Sequence, residues 1–165
     1  MNGRRWALGI LLLLAACGRP PGEPAPDFTV PTLDGGAFTL SHALAQGKPV
    51  VVFFMAYWCA ACLPEAQALG RLRQAYGDRL EIVAIDVDPT STPEALKAFA
   101  EAAGDPPIRW AFDPDNRVVL AYRVTRLDTT LVIAPGGQVV YRDEVPTADR
   151  VLFEQVGRLL GPPTP

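Results

Sequence analysis

The chain has 165 residues, enough for one domain with an appendage. Apolar residues make up 49% of it, which supports a packed core, and the formal net charge is −3. No basic bias marks a face for nucleic acid, so that class of partner is excluded. Residues 1–16 read as a targeting segment: Arg4 and Arg5 form a positive start, and Trp6 to Ala16 is an apolar run. That run is shorter than the ~20 residues an ordinary transmembrane helix needs. Small residues then precede Cys17 in Leu-Ala-Ala-Cys. Residues 17–26 form a proline-rich linker whose composition favours extended polyproline II and forbids a helix, whether as a spacer or as a plain tail.

A domain is expected over residues 27–161. Asp27 to Leu40 reads as two short strands about the turn Asp34-Gly35-Gly36, an N-terminal β-hairpin. Ser41 is placed as the cap of a short helix through Gln46, closed by Gly47. His42, a lone histidine, receives no role. Val50 to Met55 is an unbroken apolar, β-branched run that stops at Trp58-Cys59; Cys62 follows three residues later. Leu69, Leu72 and Tyr76 then recur at helical steps, so a buried strand feeds a helix with a C-x-x-C pair at its start. Unpaired N–H groups at a helix N-terminus favour negative charge, so a cysteine there reaches its reactive thiolate form more readily. A partner at i+3 lies one turn away, within disulfide reach. The other reading of such a pair is half of a zinc site, but the chain has only three cysteines and one histidine to supply four ligands.

Leu80 to Val87 is a second buried strand, with the incomplete alternation of a strand covered on both faces. Thr92-Pro93 begins a helix, threonine as N-cap and proline at N1, with Leu96, Phe99, Ala100 and Ala103 on its buried side and Gly104 at its end. Ile108 to Phe112 is a short strand and Asp115 to Tyr122 a short helix. Leu131 to Ala134 and Val139 to Arg142 form a hairpin about Pro135-Gly136-Gly137. Thr147 is placed as the cap of a last helix that runs to Leu160 and is stopped by Gly161-Pro162. The fold class is α/β, a central mixed sheet flanked by helices.

Several stretches together carry a resemblance. They are Ala25 to Gly35 (A-P-D-F-T-V-P-T-L-D-G), Gly47 to Phe54 (G-K-P-V-V-V-F-F), Trp58 to Cys62 (W-C-A-A-C), Glu65, Ala121 to Val124 and Thr129 to Val140. The chain resembles the thioredoxin superfamily, and within it the membrane-anchored TlpA/ResA-like thiol–disulfide oxidoreductases with a redoxin domain. The resemblance implies a thioredoxin-like fold and a redox-active Cys59–Cys62 disulfide. It also implies protein thiol or disulfide substrates, a membrane electron donor of the CcdA/DsbD type and a place in cytochrome c biogenesis or metal-site assembly. No cofactor and no metal ligand are assigned. Leu14 to Cys17 is similar to a bacterial lipobox, which implies cleavage before Cys17, lipidation of Cys17 and a domain held on the extracytoplasmic side of a membrane, in the cell envelope. An uncleaved short anchor or an ordinary secretory leader is the other reading.

In the mechanism so implied, Cys59 at the helix start attacks and Cys62 resolves. Trp58, Ala60 and Ala61 shape the rim that meets the substrate. With Cys62 at 0° on a helical wheel, Leu69, Tyr76 and Leu72 fall at about 340°, 320° and 280°, and Glu65 at about 300°, inside the apolar arc. A carboxyl there is desolvated, its pKa rises, and it lies one turn from Cys62, as proton exchange requires; a side chain snorkelling to solvent is the alternative. The related family carries a glutamate at this spacing, whereas thioredoxin uses a buried aspartate on the preceding strand, where this chain has Phe53.

Two departures stand out. Pro64 follows Cys62 by two residues, and Gln67 occupies the family's usual proline position. The family's cis-proline before the third core strand is replaced by Asp128 in Leu127-Asp128-Thr129-Thr130. A trans bond is expected there, with an acidic side chain close to the cysteines that disfavours the thiolate. A Sco-like copper-handling protein on the same fold is the alternative function, and Asp128 would then be a third ligand. That group has three residues between its cysteines and a distant histidine, both missing here. A peroxiredoxin-like peroxidase lacks its threonine-cysteine signature.

Overall fold

A computed structural model describes residues 22–163; residues 1–16 and Cys17 lie outside it. Its strands are β1 (Glu23–Pro24), β2 (Thr29–Pro31), β3 (Ala37–Thr39), β4 (Val50–Met55), β5 (Glu81–Asp86), β6 (Arg109–Phe112), β7 (Thr129–Ile133) and β8 (Gln138–Asp143). Its helices are α1 (Leu40–Ala45), α2 (Leu63–Tyr76), α3 (Pro93–Ala102), α4 (Arg117–Ala121) and α5 (Asp149–Leu160). Six strands form one mixed sheet in the order β1-β8-β7-β4-β5-β6, and β2 and β3 form the expected separate hairpin. This is the central mixed sheet with flanking helices that the sequence implies.

β4 lies inside the sheet, parallel to β5 and antiparallel to β7, and all six of its side chains are buried. Its alternation divides the core. Val51, Phe53 and Met55 face α2, α3 and α5, through Leu69, Leu72, Leu96, Phe99, Leu152 and Val156. Val50, Val52 and Phe54 face the hairpin, α1 and α4, through Phe28, Phe38, Leu40, Val118 and Tyr122. A strand covered on both faces has no solvent side, which is why its sequence reads as one continuous apolar run. The end of β4 is thereby fixed from two directions, and the cysteines follow directly after it.

Three local expectations are corrected. α1 is preceded by Thr39, not Ser41; Ser41 lies within the helix and its N–H donates to Asp27 Oδ1 at 2.9 Å. α5 starts at Asp149 with Ala148 in the cap position, so Thr147 does not cap it. The short helix near residue 115 begins at Arg117, behind Asn116 in a left-handed conformation (φ 54°). The sheet also extends into the proline-rich stretch, where Glu23 and Pro24 pair with Val139 and Gln138. Proline is tolerated there because β1 is an edge strand.

Thr92 caps α3 as the sequence predicts: its Oγ1 accepts from the Ala95 N–H at 3.2 Å. Losing such a cap costs ~1 kcal/mol, whereas an exposed position with no cap bond changes stability by less than ~0.5 kcal/mol. Thr92→Ala is therefore expected to lower the urea midpoint clearly and Ser41→Ala hardly at all. Equal effects would show that the two helix starts are not stabilised as described.

Candidate functional site

The chain leaves β4 at Met55 and turns through Ala56, whose carbonyl accepts from the Cys59 N–H at 2.8 Å. Cys59 precedes a 3-10 turn, Ala60–Cys62, that runs directly into α2. Pro64 sits in the first turn of α2, where its missing N–H leaves no intrahelical bond unmade. Cys59 and Cys62 form a disulfide, and the Cys62 N–H donates to the Cys59 carbonyl at 3.0 Å, closing the turn between them. Cys59 retains 8% exposure and Cys62 none, so substrate sulfur can approach only Cys59.

The rim is apolar and open. Trp58 is 59% exposed, and Ala60 and Ala61 are exposed beside it. The indole Nε1 of Trp58 donates to Asp88 Oδ2 at 2.6 Å, which fixes the ring without burying it. Asp86, at the end of β5, accepts from the Tyr57 N–H, the Asp88 N–H and the Ser91 hydroxyl. Burial nonetheless pushes its carboxyl above the usual range. Tyr57, Trp58, Ala60 and Leu63 with Ala98 and Phe99 line a shallow groove of about 330 Å³ next to the pair.

The other side of the disulfide is acidic. Asp128 precedes β7; its N–H donates to the Phe54 carbonyl at 3.0 Å, and its φ of 61° is left-handed. No cis peptide bond occurs among the described residues, so the Leu127–Asp128 bond is trans as expected. The Asp128 side chain is buried, and a carboxylate oxygen lies within 4.8 Å of both cysteine sulfurs. Burial first, and the Asp143 charge second, push its carboxyl up to about 6.

Glu65 lies beneath this layer and is 2% exposed. The Thr130 hydroxyl donates to its Oε1 and the Thr147 N–H to its Oε2, the latter at 2.8 Å. Both bonds favour the charged form, yet desolvation outweighs them and the carboxyl is pushed up to about 7, with the Asp128 charge adding to the rise. The Tyr141 and Thr147 hydroxyls both donate to Asp143 Oδ2 at 2.5 Å, and burial pushes the Tyr141 phenol up to about 12.

Trp58, Cys59, Ala60, Ala61, Cys62, Glu65 and Asp128, all selected from the sequence, thus converge on one end of the sheet. Glu65 is buried and does not snorkel to solvent. Sequence reasoning missed Thr130, Tyr141, Asp143 and Thr147. They come from β7, β8 and the loop before α5, and no spacing ties them to the cysteines. The one available signal was a run of hydroxyl and acidic residues at strand positions that a plain core would fill with apolar side chains. His42 is exposed in α1. No described helix is long and apolar enough to cross a membrane.

The model of the AhpC/TSA family matches residues 21–142. The chain is 30% identical over 112 residues to the mercury resistance operon ORF3 of Streptomyces lividans, covering 66% of this chain and 59% of that protein's length. It is 30% identical over 139 residues to the thiol:disulfide interchange protein HelX of Rhodobacter capsulatus, covering 84% of this chain and 76% of HelX. The crystal structure of a candidate thiol:disulfide interchange protein DsbE from Chlorobium tepidum is similar at 27% identity with a TM-score of 0.72, covering 87% of this chain and all of that one.

The buried carboxyl of Glu65 has a measurable consequence. Folded, it keeps its proton to about pH 7; unfolded, it releases it near 4.5. Its stabilising share is fully present below pH 4.5 and is lost as pH rises through 7, a difference of ~3 kcal/mol. Urea denaturation of the oxidised protein is expected to show stability falling by about this much between pH 4.5 and 8, with Asp128 acting in the same direction near pH 6. Glu65→Gln is expected to remove most of the slope. Parallel slopes for both proteins would contradict the burial of an ionisable Glu65.

Proposed function

The chain belongs to the AhpC/TSA family and carries a thioredoxin-like thiol:disulfide oxidoreductase domain, and on that premise we propose that it reduces disulfides of protein substrates outside the cytoplasm. The observation that carries this reading is the single accessible sulfur of the pair, Cys59, at a helix start beside an exposed tryptophan and an apolar groove. A substrate segment lies along Trp58, Ala60 and Leu63 and presents its disulfide to Cys59.

The steps balance as follows. The Cys59 thiolate attacks one substrate sulfur, the substrate S–S bond breaks, and a substrate thiolate leaves and takes a proton. Glu65, with its pKa about 7, accepts the Cys62 proton from one helical turn away. The Cys62 thiolate attacks Cys59, the mixed disulfide breaks, and the second substrate thiol departs. The substrate gains two electrons and two protons, and the protein is left as the Cys59–Cys62 disulfide. A dithiol donor in the membrane, of the CcdA/DsbD type, returns the two electrons. Asp128 closes the substrate side opposite Trp58.

The reductive direction is supported by the surroundings of the sulfurs: the intervening Ala60-Ala61 pair carries no charge, and the buried Asp128 carboxyl within 4.8 Å of both sulfurs disfavours the thiolate that a strong oxidant needs. Location follows from residues 1–17. Cleavage before Cys17 and its lipidation tether the domain to a membrane, and more than one acyl chain makes the tether stable. Apocytochrome c and proteins awaiting a thiolate-bound metal are the substrate classes this placement suits.

Two experiments test the proposal. In an insulin-reduction assay, Cys59→Ser is expected to abolish turnover. Cys62→Ser is expected to accumulate a covalent mixed disulfide visible on a non-reducing gel. Trapping by Cys59→Ser alone would reverse the two roles, and undiminished turnover by either variant would end the reading. Separately, Cys17→Ala is expected to move the protein from the membrane to the soluble fraction; a processed Cys17→Ala protein that stays with membranes would exclude the lipid tether.

A further inference from the structure

Asp128 poses a problem that thiol exchange does not resolve. It is 5% exposed, and its Oδ1 has no hydrogen-bond partner among the described residues. A buried carboxylate oxygen without a partner is an unfavourable arrangement that nearby donors or cations normally relieve. The groups that do lie close are both sulfurs. One ligand atom from each of Cys59, Cys62 and Asp128 falls within 4.8 Å of the other two, and all three side chains are buried. The backbone holds the carboxylate there, because the Asp128 N–H is tied to the Phe54 carbonyl and the residue keeps a left-handed conformation.

We propose that the reduced Cys59–Cys62 pair and the Asp128 carboxylate form a binding site for a thiophilic divalent cation of the zinc type. Zinc is held by thiolate at about 2.3 Å and by carboxylate at about 2.0 Å in tetrahedral geometry. Two such Zn–S bonds place their sulfurs roughly 3.8 Å apart. The two sulfurs, three residues apart on one turn, reach that separation once the bond between them is opened. The required oxygen is already within reach. Three protein ligands leave one tetrahedral position, on the side of the exposed rim.

Charge selects the ion. Two thiolates and a carboxylate carry −3; a divalent cation leaves −1 buried, a monovalent copper ion −2. The oxygen donor also suits borderline Zn²⁺ better than soft Cu(I), which two sulfurs alone satisfy. Binding involves no electron transfer: the cation displaces two thiol protons. The preceding reduction of the disulfide takes two electrons and two protons from a dithiol, or two electrons from a phosphine that leaves as its oxide, with water supplying the oxygen and the two protons. The disulfide form offers no thiolates, so occupancy reports the redox state, and a bound cation guards the dithiol against re-oxidation. The site needs only the reduced pair and Asp128, and it stands whether or not insulin is a substrate.

The test uses the full chain in detergent carrying Cys17→Ala, so that Cys59 and Cys62 are its only thiols. The protein is reduced with a phosphine and desalted, and Zn²⁺ is titrated against a chromophoric chelator. The reduced chain is expected to bind one Zn²⁺, and the disulfide form none. Asp128→Asn and Asp128→Ser are each expected to weaken binding at least about tenfold, a loss that even outer-shell changes bring. Co²⁺ in place of Zn²⁺ is expected to give a thiolate charge-transfer band in the wild-type chain, which checks ligation without any substitution at Asp128. Three results would overturn the proposal: no Zn²⁺ binding by the reduced chain, equal affinity in folded Asp128 variants (an isolated dithiol acting alone), or binding confined to Cu(I) and indifferent to Asp128.

Discussion

The antiparallel register between β4 and β7 sets the geometry of everything at the site. Phe53 pairs with Thr130 and Phe54 with Thr129, and the Asp128 N–H closes the ladder on the Phe54 carbonyl. The same β4 that delivers the cysteines therefore delivers, on its neighbour, the aspartate over them and the threonine that holds Glu65. A slip of one residue would reverse the faces of β7 and remove both contacts at once.

Within that frame, electrostatics decide the character of the pair. A helix N-terminus stabilises a thiolate by ~0.3–1 kcal/mol at ordinary exposure. A charged carboxylate 4.8 Å away opposes it by ~3 kcal/mol at an effective dielectric of about 20. The carboxylate wins, so the surroundings disfavour the Cys59 thiolate. Beneath it, Glu65 titrates near neutrality because desolvation exceeds the two hydrogen bonds it accepts, so it can both take and return a proton there. The same acidic surroundings that weaken an oxidant suit a reductant, and they also suit a cation once the disulfide is open.

The motif and its setting were legible because they are local. The strand-to-helix step, the i+3 cysteines and the wheel position of Glu65 all follow from periodicity within residues 50–76. Asp128 was legible only as a departure from a familiar pattern. Thr130, Tyr141, Asp143 and Thr147 were not legible: the bonds from Thr130 and Thr147 to Glu65 span 65 and 82 residues, Tyr141 and Asp143 join the group only through Thr147, and all depend on how β7, β8 and the loop before α5 dock. The two misplaced caps share one cause. Ser41 and Thr147 both have the composition of an N-cap, but tertiary carboxylates compete for their N–H groups: Asp27 takes that of Ser41, and Glu65 takes that of Thr147. Propensity has no means of seeing those partners. Likewise the proline-rich stretch is read as free linker, while an open edge of the sheet at β8 captures Glu23 and Pro24.

Carboxyl groups that disfavour the Cys59 thiolate set the character of the pair, and the midpoint potential of the Cys59–Cys62 couple tests this most directly. Equilibration against defined glutathione or dithiothreitol buffers at pH 7, read by alkylation, gives that potential for the wild type and for Asp128→Asn. A reductive couple in acidic surroundings is expected below about −200 mV, nearer thioredoxin than a strong oxidant, and Asp128→Asn is expected to raise it. A wild-type value near about −120 mV, or one unmoved by Asp128→Asn, would contradict the account.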